Sequence, residues 1–196
     1  FLLNIESILL ESKFSFSKHY SDRMVNSIYF EKQNFNSLLE NIDGSNIKKK
    51  IRLRWYGDYR YINNPKLEIK KKIGHLNKKK IFHLKDFSTK FTFDQLPNIY
   101  RTLKKKFIEL NDYSIISSTH YNRKYYISLD KKVRATLDFD IFYKKLKKDF
   151  EISNQDFNKV LEIKYNPKLD NYIRENLKNI TFRISKNSKY FNSLLK

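Results

Sequence analysis

Charged and apolar residues alternate along four segments of this chain. Arg52 and Arg54 alternate with apolar residues in one segment, another covers residues 134–140, and the tetrapeptide Leu-Glu-Ile-Lys occurs at both 67–70 and 161–164. Because successive side chains of a strand point to opposite faces, each segment predicts a strand with one charged face. Arginine forks bind phosphate oxygens, and a carboxylate among them binds a divalent cation. The four segments therefore indicate a site for a polyanion and its metal.

The alternation has two interpretations. An ordinary half-exposed antiparallel sheet shows the same pattern, with its charges in water. The mixture of many cations with a few acids favours the other interpretation, in which the charged faces point into a closed barrel and form an anion-binding tunnel. We therefore predict that six side chains point into one enclosed cavity: Arg52, Arg54, Lys70, Arg134, Glu162 and Lys164.

The composition is that of one globular domain with a large positive charge. Its 196 residues are 40% hydrophobic, enough to bury a single core, and the 14 Tyr and 16 Phe favour a β-rich fold. The 41 Lys and Arg exceed the 21 Asp and Glu, which gives a net charge of +20. This charge predicts an anionic partner: a nucleic acid, an acidic membrane surface or a phosphate compound. Composition does not decide among the three.

Several classes of protein are excluded by what the sequence lacks. It has no cysteine, so it has no disulfide framework or thiolate metal site. No apolar run approaches the roughly 20 residues that span a bilayer. The 4 histidines lack the spacing of zinc ligands, and neither a Walker A sequence nor G-x-G-x-x-G is present. We expect a cytoplasmic location, and a membrane-protein partner that the sequence does not reveal could bring the chain to the inner face of a membrane.

The apolar spacing predicts the helices and strands that position the charged faces. One short helix is capped by Asn4, a second is capped by Asp94 and carries an apolar stripe that runs to Leu110, and a third follows Pro167. Strands are predicted at 24–30, 48–56, 65–73, 79–84, 114–119, 124–129, 132–143, 159–165 and 180–184. With only 3 Gly and 3 Pro the chain has no flexible linker, so we predict one α+β domain over residues 1–196.

The order of several short motifs resembles a known protein family. The motifs are residues 25–30, residues 41–44 with 50–58, both Leu-Glu-Ile-Lys repeats, residues 134–140 and residues 185–190. In this order they resemble the VTC domain of polyphosphate polymerases, and they span nearly the whole chain. Each motif is weak alone, but their combination is specific.

This resemblance implies a fold and a reaction. The fold is that of the CYTH or triphosphate-tunnel superfamily, an antiparallel β-barrel of about eight strands around a charged tunnel with helices packed outside. The reaction transfers the terminal phosphoryl group of ATP to a growing inorganic polyphosphate chain and depends on Mn²⁺ or Mg²⁺. ATP and polyphosphate are then the partners, and no nucleic acid is expected. Phosphoryl transfer needs positioning and charge stabilisation, which cations and a carboxylate-held metal supply.

The resemblance also assigns roles to individual residues. Arg52 and Arg54 match the Arg-x-Arg of the family and are expected to clamp phosphate oxygens, and Glu162 resembles its metal-binding glutamate. We expect catalysis to depend on Arg52, Arg54, Lys70 and Arg134. The further phosphate ligands are expected to be Lys72, Lys79 or Lys80, Arg123, Lys164, Lys186 and Lys189. A solvent-facing salt bridge is the alternative role for Arg52, Arg54 and Glu162.

The resemblance leaves the activity of this chain open in two ways. In the family, a strand carrying Glu and Lys precedes the segment that residues 1–3 resemble, so we expect this chain to be a fragment that lacks one tunnel wall. The reaction is open because a triphosphatase of the same fold needs the same tunnel, with water as the acceptor. A non-catalytic module that binds polyphosphate or nucleic acid is a third hypothesis, which the charge of +20 also suggests.

Overall fold

The computed structural model describes residues 2–32, 47–74, 76–147, 150–177 and 185–195. Within these ranges the chain forms ten strands. They are β1 (Ser17–Lys32), β2 (Ile47–Tyr56), β3 (Tyr61–Asn63), β4 (Lys66–Ile73), β5 (Leu76–His83), β6 (Ser88–Lys90), β7 (Tyr113–Ile127), β8 (Arg134–Lys147), β9 (Phe150–Asp156) and β10 (Val160–Lys164).

Four α-helices and three short 3-10 turns lie in the same ranges. The helices are α1 (Leu2–Glu11), α2 (Leu96–Lys106), α3 (Asp170–Asn176) and α4 (Lys189–Leu195), and the turns cover Phe93–Gln95, Ile108–Leu110 and Pro167–Leu169. Pro97 lies in the first turn of α2, where a backbone N–H would have no partner within the helix. Of the helices in the described ranges, none has the length and apolarity needed to cross a membrane.

Eight strands form one sheet. Their hydrogen-bonding order is β10, β8, β7, β1, β2, β4, β5, with β9 also pairing with β8, while β3 and β6 form a separate pair. The registers of β1 with β2, β2 with β4, β4 with β5, and β8 with both β9 and β10 are antiparallel. The predicted antiparallel sheet of about eight strands with accompanying helices is therefore confirmed. Its closure into a barrel stays a prediction.

The chain divides into two compact units. The first unit comprises Phe1–Arg23, Asn122–Phe139 and Phe157–Asn187, and the second comprises Met24–Tyr121, Asp140–Asp156 and Ser188–Lys196. Each unit has its own apolar core. Leu9 of α1 and Ile173 of α3 are buried against Leu137 of β8 in the first unit. Leu53 of β2 and Leu103 of α2 are buried together in the second.

The predicted alternation creates both cores. In β2, Ile51, Leu53 and Trp55 are at most 1% exposed and belong to the core of the second unit. In β10, Leu161 and Ile163 pack on the core of the first unit, whereas the two residues that alternate with them are exposed. The apolar residues fix which face of each strand is buried, so the charged residues must occupy the other face.

Several predicted boundaries are wrong. α1 begins at Leu2, so Asn4 lies inside the helix, and α2 is preceded by a 3-10 turn that makes Gln95 its N-cap in place of Asp94. Because α2 ends at Lys106, the last part of its predicted stripe lies beyond it, and Leu110 is buried from a 3-10 turn.

The strand predictions also need correction. The predicted strands at 114–119 and 124–129 are one continuous strand, β7, since no glycine or proline interrupts them. β9 was missed, because its Asn, Gln and Asp residues weaken the strand signal. The predicted strand at 180–184 lies outside the described residues. Gly57 directly follows β2 and Gly74 directly follows β4, and both glycines have positive φ, 91° and 57°, which glycine adopts without steric cost.

Replacing Leu53 by Ala tests the core of the second unit. The side chain is fully buried, so its truncation removes apolar contacts and leaves a cavity. We expect the free energy of unfolding to fall by about 2–5 kcal/mol in a denaturant titration. Leu129→Ala is the control, because Leu129 is 79% exposed and its loss should cost less than about 0.5 kcal/mol. Equal losses for the two variants would contradict this description of the core.

Candidate functional site

The charged face of the second unit lies on β2, β4 and β5, opposite the core. Across β2 and β4, the register places Lys50 opposite Lys70, Arg52 opposite Glu68, and Arg54 opposite Lys66. Across β4 and β5, it places Lys70 opposite Lys79. Residues directly opposite in an antiparallel pair share one face, so these side chains are neighbours. We call this surface, made of Lys50, Arg52, Arg54, Glu68, Lys70 and Lys79, the cation face.

Glu68 is the carboxylate of the cation face. It is 5% exposed, and its Oε2 accepts hydrogen bonds from Nε and Nη2 of Arg52 at 2.8 and 2.6 Å. Nζ of Lys79 lies 3.3 Å from the same oxygen. Burial of Glu68 opposes its ionisation, but the positive charges of Arg52 and Arg54 and the Arg52 hydrogen bond hold the pKa of this carboxyl below its ordinary value. Glu68 therefore holds Arg52 in place.

Arg54 is buried, and no carboxylate of the described residues is its own partner. It is 9% exposed, and its guanidinium donates two long hydrogen bonds, from Nε to Oγ of Ser27 and from Nη2 to Oη of Tyr121, both 3.4 Å. Among the described residues no acid forms an ion pair with it, since Glu68, the nearby carboxylate, is bound to Arg52 and Lys79. A buried guanidinium with only weak neutral partners is a strong anion-binding group.

Lys50 is a second cation on this face, and it is half-buried. Its Nζ donates to Oγ of Ser188 at 3.3 Å and lies 5.2 Å from the centre of the Tyr190 ring. Burial lowers the pKa of Lys50, and the positive charges of Lys48 and Lys70 lower it further. No carboxylate in the described part of the chain pairs with it. Sequence reasoning missed Lys50 as a site residue, although it continues the alternation of Arg52 and Arg54.

Helix α4, which the sequence did not predict, contacts the same side of the sheet in the second unit. Tyr190 is 4% exposed and its ring meets that of Tyr29 edge-on, with ring centres 5.5 Å apart. The hydroxyl of Ser193 forms a 2.8 Å hydrogen bond with that of Ser117. Lys189 lies over the Tyr121 ring, 4.7 Å from its centre. One predicted phosphate ligand, Lys189, is thus placed beside the hydroxyl that binds Arg54.

The register decides between the two alternatives on β5. Lys79 lies on the cation face, whereas Lys80 is opposite Ile69 and therefore on the other face of the strand. Lys72 is opposite Lys48, at the exposed end of the same face as Lys70. Lys186 is exposed and belongs to the first unit.

The first unit has a charged face of its own. β8 and β10 place Arg134 opposite Lys164, and Thr136 opposite Glu162. Oε1 of Glu162 lies 3.2 Å from Nζ of Lys164, and both side chains are about half exposed, at 46% and 54%. An open pocket of about 620 Å³ lies here, lined by Lys132, Arg134, Ile163, Lys164, Tyr165 and Asn166. Glu162 thus has the salt bridge that was its alternative role, in a pair too exposed to be strong.

Arg123, a predicted phosphate ligand, is bound to a carboxylate in the first unit. Its Nε and Nη2 donate to the two carboxylate oxygens of Asp138 at 2.5 and 2.7 Å. The Asp138 side chain is 1% exposed and that of Arg123 is 13% exposed. A bidentate pair this well buried keeps both charges in a fixed geometry. The six side chains that were predicted to share one cavity thus lie on two charged faces, one in each unit, and the shared cavity stays a prediction.

The described residues offer a limited set of metal ligands. They contain no group of three or more histidine or carboxylate side chains that could hold a metal ion. A cage made by the protein alone is therefore absent from this part of the chain. The half-exposed carboxylate of Glu162 instead fits Mg²⁺ or Mn²⁺ bound with water and phosphate oxygens as the other ligands, which is how these ions commonly bind beside phosphates.

The family of this chain is shown by a match over nearly its whole length. The model of the VTC domain family matches residues 5–196. The chain therefore belongs to the VTC domain family, and the resemblance of its motifs to a VTC domain is confirmed. A search of curated proteins finds no match.

Two solved structures are similar to the structure of this chain. The PH1819 protein from Pyrococcus horikoshii has a TM-score of 0.53 and 12% sequence identity, over 97% of this chain and 91% of that one. A putative adenylyl cyclase from Hippeastrum, HpAC1, with a dominant triphosphatase activity, has a TM-score of 0.49 and 12% identity, over 90% and 84% of the two chains. The first of these likenesses supports the fold.

Glu68→Gln tests the coupling of Arg52 to its carboxylate. Because the folded protein holds the pKa of Glu68 below its ordinary value of 4.5, the ionised group stabilises the fold above that pH. This stabilisation is lost as the pH falls through the lowered pKa. We expect the variant to be less stable than the wild type at neutral pH and the difference to shrink below about pH 4.5 in denaturant titrations. If the stability difference between the variant and the wild type did not depend on pH, the coupling would be contradicted. Glu11→Gln is the control, because Glu11 is at an exposed position of α1.

Proposed function

We propose that this protein is a polyphosphate polymerase, which transfers the terminal phosphoryl group of ATP to a growing inorganic polyphosphate chain with Mn²⁺ or Mg²⁺. The observation that carries the proposal is a pair of cations on the cation face, the buried Arg54 and the half-buried Lys50, which have no carboxylate partner among the described residues. Membership of the VTC domain family supports the same reaction class.

Buried positive charge without a counterion needs an anionic partner. Withdrawing a cation from water costs free energy, which hydrogen bonds to hydroxyl groups offset only in part. Lys50, Lys70 and Lys79 lie side by side across three strands, so they also repel one another. A polyanion removes both costs at once. Polyphosphate has a regular negative charge and many acceptor oxygens, and it matches this row of cations.

The residues of the cation face have distinct tasks in this proposal. The fork of Arg54 would bind two oxygens of one phosphoryl group, and the lysines would hold neighbouring phosphates as point charges. Glu68 would keep Arg52 in one orientation while leaving part of its guanidinium for phosphate, since the Arg52 side chain is 29% exposed. Such fixed positive groups stabilise the charge of a phosphoryl group in transfer without reorganising.

Glu162 is the proposed metal ligand, in the first unit. A bound Mn²⁺ or Mg²⁺ would neutralise charge on the transferring phosphoryl group. Lys164, now paired with Glu162, would become available to phosphate when the carboxylate turns to the ion. Arg134, opposite Lys164, adds a second cation to the same face. The proposal includes closure of the sheet into the tunnel that the family resemblance implies.

The product formed from ATP tests the reaction. We expect the full-length protein with ATP and Mn²⁺ to make long-chain polyphosphate that is visible on a gel. Arg54→Ala should weaken triphosphate binding roughly 10- to 100-fold, because it removes a charged hydrogen-bond donor from a buried position. Binding should also weaken with salt, which screens charges over roughly 8 Å at physiological ionic strength. Arg60→Ala is the matched control, since Arg60 is exposed and paired with Asp58.

Other products would contradict the proposal in recognisable ways. Free phosphate or pyrophosphate alone would indicate a triphosphatase of the same fold. Triphosphate binding without turnover would indicate a non-catalytic module. Triphosphate affinity that is indifferent to both salt and Arg54→Ala would mean that the cation face is not the binding site.

Glu162→Gln tests the proposed metal ligand. The substitution keeps the shape of the side chain and removes the charge that a hard divalent cation needs. We expect turnover to fall by at least roughly 100-fold, because charge stabilisation by the ion is lost, while triphosphate binding and the fold survive. Glu175→Gln, at an exposed position of α3 in the same unit, should change neither. Wild-type turnover with an unchanged Mn²⁺ titration would show that Glu162 serves only as the partner of Lys164.

A further inference from the structure

The hairpin of β4 and β5 ends in two exposed apolar side chains. Ile73 and Leu76 are directly opposite in register, on either side of the Gly74 turn, and are 46% and 69% exposed. They lie on the face that carries the core residues Leu67 and Ile69, which we call the outer face of the hairpin. Neither tip residue belongs to the core of the second unit. Two adjacent aliphatic side chains are thus presented to solvent.

Lysines separate this tip from the core on the outer face. Lys71 lies opposite Lys49 on one side and opposite Lys78 on the other, and Lys80 follows opposite Ile69. Like charges directly opposite each other destabilise a sheet. Burial lowers the pKa of Lys49, and the positive charge of Lys71 lowers this pKa further. The order along the outer face is therefore core, lysine row, apolar tip.

These outer lysines are not neutralised within the part of the chain that the structure describes. Lys71, Lys78 and Lys80 are exposed and form no ion pair there. The acid of the hairpin, Glu68, lies on the opposite face and is bound to Arg52 and Lys79. The outer face of the hairpin thus combines exposed aliphatic groups with uncompensated positive charge.

Protection of a free sheet edge does not explain this arrangement. Lysines on an edge strand do prevent unwanted pairing, and β5 ends the described order of strands. However, Lys49 and Lys71 are on β2 and β4, which are paired on both sides, so their lysines protect no edge. An exposed Ile73 and Leu76 would favour association, which is the opposite of protection.

We propose that the tip of the β4–β5 hairpin docks on an acidic phospholipid bilayer. Ile73 and Leu76 would enter the boundary between head groups and acyl chains, and the lysine row behind them would lie at the level of anionic head groups. A soluble polyanion would satisfy the lysines but leave both aliphatic side chains in water, so a bilayer fits the whole surface better. This surface lies on the face opposite the cation face and does not depend on the proposed phosphoryl transfer.

Vesicle co-sedimentation of the full chain tests the proposal. We expect binding to vesicles of phosphatidylcholine mixed with phosphatidylserine and little binding to phosphatidylcholine alone. The double variant Ile73→Ser with Leu76→Ser should bind the acidic vesicles roughly tenfold or more weakly, because the inserted apolar surface is lost. Lys71→Glu with Lys78→Glu should lose at least as much, because two attractive charges become repulsive.

Matched controls separate docking at this tip from general attraction of a basic protein. Leu129→Ser removes a 79% exposed leucine elsewhere, and Lys105→Glu with Lys106→Glu makes the same charge change at the end of α2. Both controls should stay within roughly threefold of the wild type, since only diffuse attraction changes. Equal losses in the control and tip variants would overturn the proposal. The proposal would also be overturned if the double variant Ile73→Ser with Leu76→Ser bound acidic vesicles as tightly as the wild type does. Displacement of that binding by soluble triphosphate would not change this conclusion.

Discussion

The second unit depends on one constraint: on β2, side chains that require burial alternate with side chains that require charge compensation. Leu53 and Trp55 are fixed in the core, so Arg52 and Arg54 must lie on the other face. A shift of one residue in register would put both arginines into the core. The apolar packing of the second unit thus determines the face on which its cations lie, and no further interaction is needed to put them there.

The buried and half-buried cations differ in how their charge is compensated, and the difference carries the functional argument. Arg52 is bound to Glu68, and Arg123 is bound to Asp138. Among the described residues, the hydrogen bonds of Arg54 and Lys50 go to hydroxyl groups, and no carboxylate forms an ion pair with either of them. A protein that needed these side chains only for stability would gain by pairing them or by replacing them with apolar residues. Because no described carboxylate pairs with them, they are suited to an anion that comes from outside.

The same hairpin presents two different surfaces because of strand geometry. Lys70 and Lys79 face the side of Arg52, whereas Lys71 and Lys78 face the side of the core. In the sequence these residues belong to two runs of three lysines, and nothing within either run indicates which lysine lies on which face. The pleat divides each run between the faces. One face continues the proposed phosphate site, and the other borders the exposed apolar tip.

The sequence by itself determined most strands of the large sheet, the apolar face of each of these, and the family, because period-two alternation and motif order are properties of the chain alone. It also singled out Arg52, Arg54 and Glu162 as site candidates. Only the tertiary structure decided that Glu68 binds Arg52, that Asp138 binds Arg123, and that α4 brings Lys189 beside Tyr121. Cross-strand register and helix docking join residues that are 15 or more positions apart. No local pattern encodes which of several acids meets which of many cations, since that choice is made by the packing of the two cores.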